Sequence, residues 1–124
     1  MAEPLNALRL VAVLEQRGLV RYTPAGLPML DAMLHHQSQQ SQQSAFGAPG
    51  TRPAGPRAVD FRLAAVFPGA VAARADALPV GALLDVSGYL ASRRLASRSL
   101  VLHVTDFSLI ETDPREQDGT GPAI

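Results

Sequence analysis

The sequence contains no cysteine, no tryptophan and no lysine. Without cysteine there is no disulfide framework and no thiolate metal centre, a composition that suits a reducing compartment. Without tryptophan, and with aromatic residues at 5% of the chain, the core must be built from Leu, Val and Ala rather than from rings. Without lysine, all eleven basic side chains are arginines. The apolar runs are too short to cross a bilayer. Met1-Ala2-Glu3-Pro4 has neither the basic start nor the apolar stretch of a secretion signal. A cytoplasmic protein without a membrane partner is the expectation. The residues of catalysis are as sparse. No Gly-x-Ser-x-Gly elbow and no glycine-rich phosphate loop occur. His35, His36 and His103 have no acidic or thiol partner at ligand spacing, and adjacent histidines on a strand point to opposite faces. No enzyme activity, cofactor or metal is therefore expected.

What is present is charge, unevenly placed. The formal net charge is zero. Residues 1–110 hold ten arginines against seven acids, while Glu111 to Ile124 hold four acids against Arg115. The body is thus mildly basic and the tail acidic. A GC-rich genome choosing arginine explains the residue type, but not its concentration in loops.

Alternation of apolar and polar residues marks five strands. Leu8, Leu10, Ala12 and Leu14 share one face of a strand over 6–15, with Gln16-Arg17-Gly18 able to break or bulge it. Tyr22-Thr23-Pro24-Ala25-Gly26 reads as a turn. A second strand covers 27–35, with Pro28 confined to an edge position. Residues 36–57, rich in Gln, Ser, Gly and Pro, read as a flexible low-complexity loop. A third strand covers 58–66, with Val59, Phe61, Leu63 and Ala65 on one face and Asp60 and Arg62 on the other. The alanine-rich stretch 68–78 is a short helix or a wrapped loop. Strands four and five cover 82–92 and 100–110, and the tail 112–124 is expected to be disordered. Five short strands with one such connection indicate an all-β domain over 6–111, a five-stranded barrel of the oligonucleotide/oligosaccharide-binding (OB) fold.

Asn6-Ala7-Leu8-Arg9-Leu10, Val20 through Pro28 with its Tyr-Thr-Pro-Ala-Gly turn, Leu34-His35-His36, Arg57 through Phe61, Leu78-Pro79-Val80-Gly81, and Gly88-Tyr89-Leu90-Ala91 through His103 occur in that order. Together they resemble the primosomal replication protein N (PriB) family, in its β-proteobacterial branch. The resemblance implies an OB-fold homodimer related to single-stranded DNA-binding protein. It further implies a non-enzymatic accessory of the replication-restart primosome. Such a protein binds single-stranded DNA, engages the helicase PriA and helps recruit DnaT, at forks in the nucleoid.

On this reading Arg93, Arg94 and Arg98, in the loop between strands four and five, are the leading DNA contacts. Arg21 and Arg57 occupy positions that are basic in the family. Arg62 lies on the polar face of strand three, where it could instead pair with Asp60 or Asp85. Arg17 and Arg52 are weaker candidates. Tyr89 could offer a stacking ring or be half-buried in the sheet, and Phe61 and Phe107 read as core or dimer-interface residues. Asp60 falls near the position where some members place a stacking tryptophan, and a carboxylate there repels phosphate. Two alternatives remain open: an OB-fold protein-interaction module with incidental DNA contact, and a general strand-coating protein of the SSB type.

Overall fold

A computed structural model describes residues 3–41 and 56–111. It contains the strands β1 (Leu8–Tyr22), β2 (Pro28–Ser41), β3 (Pro56–Pro68), β4 (Leu83–Ser92) and β5 (Leu100–Glu111), with one helix, α1 (Ala70–Asp76), between β3 and β4. The strands close into a barrel in the order β1-β2-β3-β5-β4. The expected tail and residues 42–55 of the expected loop lie outside the described residues.

β1 is one long bent strand rather than a short one. Its first half, Leu8–Val13, pairs with β4, and Val13–Tyr22 pairs with β2. Register shifts between Leu14 and Gln16 and between Arg17 and Val20 mark the bends. Each shift inserts unpaired backbone and sharpens the local twist. Ala12 and Leu14 stay buried before the bends, and Val20 packs on the core after them. Closure pairs β3 with β5 over two rungs only, so the strand ends keep free edges. One remains on β1 before Val13, where the described ladder runs to β4 alone.

The β2–β3 hairpin corrects the expected loop boundaries. Residues 36–41 are not loop: His36 through Ser41 pair rung by rung with Phe61 back to Pro56. Ladder hydrogen bonds need no apolar side chain, so this polar arm escapes a search for alternating hydrophobicity. Side chains brace it, Gln37 Nε2 donating to Asp60 at 3.1 Å and Gln40 Nε2 to Ser38 Oγ at 2.9 Å. Phe61 lies on this arm, 38% exposed and tilted against His36, so it is not a core residue. Phe107 is, meeting Phe67 edge-to-face at 5.5 Å.

α1 decides the 68–78 question in favour of a helix. Gly69 enters it with φ 65°, which suits glycine. Ala72, Ala75 and the following Leu78 face the barrel interior and join its core. Their small side chains let the helix sit close. The rest of the core is mostly aliphatic, from Leu14, Leu30, Leu34, Leu84, Val86, Leu102 and Val104, but it does hold rings, Phe67 being its largest fully buried side chain. Among the described residues no polar or charged side chain is buried.

β4 and β5 shift register at Ser87/Gly88. There the backbone of Gly88 lies against the His103 carbonyl, and a Cβ at this position would overlap it. Gly88→Ala should therefore destabilise the protein by about 1–3 kcal/mol through overpacking, measured by chemical denaturation. Wild-type stability in that variant would contradict the described β4–β5 register.

Candidate nucleic-acid interface

The loop joining β4 to β5 is short and internally bonded. Arg93 N donates to Ser99 O at 2.9 Å, and Ser97 N donates to Arg94 O at 2.9 Å. Ser99 N donates to Ser97 Oγ at 3.1 Å. Ala96 takes a positive φ of 69°, uncommon for a residue with a Cβ. These bonds hold a turn whose arginines point to solvent. Arg93, Arg94 and Arg98 are all exposed, and none has an ion-pair partner among the described residues.

Other arginines are treated differently. Arg21 forks onto Asp31 at 2.9 and 3.2 Å. Arg62 Nε donates to both oxygens of Glu15 at 2.9 and 2.8 Å, rather than to Asp60 or Asp85. Arg9 takes Asp85, Arg17 takes Asp76, and Arg74 takes Asp106 while stacking on Phe107. Each of these guanidinium groups has its charge locally balanced. Arg57, exposed on the β2–β3 arm, has no ion-pair partner among the described residues. The basic candidates therefore divide. Arg93, Arg94, Arg98 and Arg57 remain available to an external anion, whereas Arg21 and Arg62 must first leave a carboxylate. Arg52 lies outside the described residues.

Arg93 also borders a shallow depression of about 350 Å³. Gln16, Arg17, Asp31, Met33 and Ala64 of β1, β2 and β3 complete much of its wall. No aromatic ring lines it.

Asp60 is not a bare carboxylate. It accepts from His35 Nε2 at 2.6 Å and from Gln37 Nε2 at 3.1 Å. These bonds, the His35 one foremost, hold its pKa below the usual carboxylate range. His36 turns the other way, its Nδ1 donating to Val11 O at 2.7 Å. The two histidines thus face opposite sides of β2. Tyr89 stands on the outer face of β4, 42% exposed, with its ring stacked on His103. His103 did not emerge from sequence reasoning as a partner for Tyr89. Counting rungs outward from the loop, from Ser92 opposite Leu100 to Tyr89 opposite His103, would have found it.

A family model described as "another single-strand binding protein family" matches residues 6–106. The replication restart protein PriB of Bordetella pertussis is 33% identical over 100 residues, covering 81% of this chain and 84% of the relative. Its counterpart in Nitrosomonas europaea is 29% identical over 90 residues, covering 73% and 74%. Among solved structures, PriB from Ralstonia solanacearum superposes with a TM-score of 0.69 at 30% identity, covering 86% of this chain and all of that one. The single-stranded DNA binding protein of Thermus aquaticus gives 0.63 at 27% identity, covering 89% of this chain and 52% of that one.

The carboxylates give a pH prediction. Asp60, Asp85 and Asp106 titrate low because they accept hydrogen bonds from His35, Arg9 and Arg74 respectively. A carboxyl depressed on folding adds stability that is fully present above its unfolded value of about 3.9 and is lost as pH falls through the folded value. Asp60→Asn should therefore make the loss of stability below about pH 4 less steep, as read from denaturation midpoints across pH. An unchanged acid limb would show that the His35–Asp60 contact is not maintained in solution.

Proposed function

The chain belongs to the single-strand binding proteins and, within them, to the replication restart protein PriB family, and on that premise we propose that it binds single-stranded DNA as a non-enzymatic accessory of replication restart. The observation that carries this is the sorting of its arginines. Five of those described hold carboxylates, while Arg93, Arg94 and Arg98, on one hairpin loop, have no ion-pair partner among the described residues. A strand of phosphates neutralises such a loop without breaking an existing pair. Each contact releases counterions, which makes binding salt-dependent and blind to sequence. Arg57 extends the grip along the β2–β3 arm. Arg21 and Arg62 contribute less, because contact with phosphate competes with Asp31 and Glu15.

The working form is a homodimer. Before Val13 β1 has a ladder to β4 alone, and apart from the Val11 carbonyl, which His36 Nδ1 holds, that edge offers backbone groups for a second copy of the same strand, with the Val11 side chain exposed beside it. Pairing there would put the arginine loops of two subunits on one assembly, and light scattering should give twice the chain mass. In the cytoplasm, at forks in the nucleoid, such a protein would hold exposed strand loosely. It would pass that strand between a PriA-type helicase and a DnaT-type factor, so that the replicative helicase is reloaded. A second reading, a protein-interaction module with incidental DNA contact, is favoured by Asp60, a carboxylate fixed on the exposed arm.

One titration separates the two. A labelled oligo(dT) bound across a salt series should lose affinity linearly on logarithmic axes. The Arg93→Ala/Arg94→Ala/Arg98→Ala protein should lower the slope by about 2, at about 0.7 per phosphate contact on single strands. Arg21→Ala/Arg62→Ala should leave the slope close to wild type. An unchanged slope in the triple variant would remove the loop from the interface and favour the interaction module.

A further inference from the structure

Single strands are usually held by aromatic platforms as well as by charge. This chain has no tryptophan and two tyrosines. Tyr22 ends β1, paired with Pro28 and exposed. Tyr89 has a different setting. Its ring lies 5.0 Å from that of His103, centroid to centroid, with an interplanar angle of 10°. The two residues oppose each other in the β4–β5 ladder. Leu102 and Val104, on either side of His103, are fully buried, so His103 and its partner stand on the outer face of the sheet.

No hydrogen bond ties either ring to another described residue, so the stack itself fixes their orientation. The backbone beneath is firm. Asn6 bonds both the N–H and the carbonyl of Leu90, at 3.0 and 2.7 Å, and Gly88 is locked against the His103 carbonyl. A ring covered on one side keeps its second face for a ligand, and Tyr89 is 42% exposed. The platform also belongs to the hairpin that carries Arg93, Arg94 and Arg98. At about 3.3 Å per residue, Tyr89 and Arg93 are about 13 Å apart along the chain.

We propose that Tyr89 and His103 form a two-ring platform on which one base of a bound single strand stacks, His103 serving as the positioning residue that holds the Tyr89 ring upright. This rests on the DNA-binding reading above and adds to it a contact with the base rather than the phosphate. The platform is indifferent to base identity, because every base has a π-face. It supplies the salt-independent part of affinity that a purely arginine grip lacks.

The absence of tryptophan makes the test direct, since the intrinsic fluorescence comes from Tyr22 and Tyr89 alone. The full-length Tyr22→Phe protein reports on Tyr89 by itself. It is titrated with oligo(dT) and with an abasic oligonucleotide of equal length, while polarisation of the labelled strand follows binding independently. Oligo(dT) should quench Tyr89 emission. The abasic strand should bind about tenfold more weakly without quenching. His103→Leu should weaken oligo(dT) binding several-fold with an unchanged salt slope, and His103→Phe, which keeps a ring, should restore it. Salt-dependent binding with no change in Tyr89 emission, or full affinity in folded His103→Leu, would overturn the platform while leaving the DNA-binding reading intact. Failure of the parent protein to bind either strand would overturn both.

Discussion

Strand β1 cannot lie flat against β4 and β2 along its whole length, so it bends between them at two bulges. That bend is the constraint on which the rest of the molecule depends. It converts a row of strands into a closed barrel and turns the aliphatic faces of all five inward. α1 then fills one opening with alanines and Leu78. Because the core is made of apolar side chains alone, polar chemistry is pushed to the surface and into the two hairpins that leave the barrel. The arm of β2 and β3 and the loop between β4 and β5 are the extensions that closure permits.

On that surface charge is sorted rather than spread. Exposed ion pairs contribute about 0–1 kcal/mol each, so the five described arginine–carboxylate pairs are weak as struts. Their consequence is electrostatic. They cancel charge over the barrel wall and leave the β4–β5 loop as a local positive site. Screening limits its reach to about 10 Å at moderate salt, so the loop acts at contact range.

Much of this was legible in the sequence and some was not, for identifiable reasons. Apolar alternation marked all five strands, because one face of each is buried. The OB barrel followed from their number and order, and the family from the ordered segments around the Tyr-Thr-Pro-Ala-Gly turn. The polar arm at 36–41 was hidden, because a hairpin exposed on both faces carries no hydrophobic period. The same arm took Phe61 out of the core, although its spacing fits the inward face of β3. Charge partners were equally hidden. Arg62 meets Glu15 on a strand far away in sequence, so neighbouring acids such as Asp60 misdirect the expectation. The arginine loop was plain from composition. That none of its arginines has an ion-pair partner among the described residues, which separates it from Arg21, emerges only when the strands are assembled.

We propose that the β4–β5 loop, whose arginines have no ion-pair partner among the described residues, holds the single strand. Amide chemical shifts followed during titration with oligo(dT) test it residue by residue. The largest changes should fall across residues 93–99, with a further set around Arg57 and small changes at Arg9 and Arg74, whose charges are already balanced. Shifts centred on Arg9 and Arg74, with residues 93–99 unmoved at saturation, would contradict it.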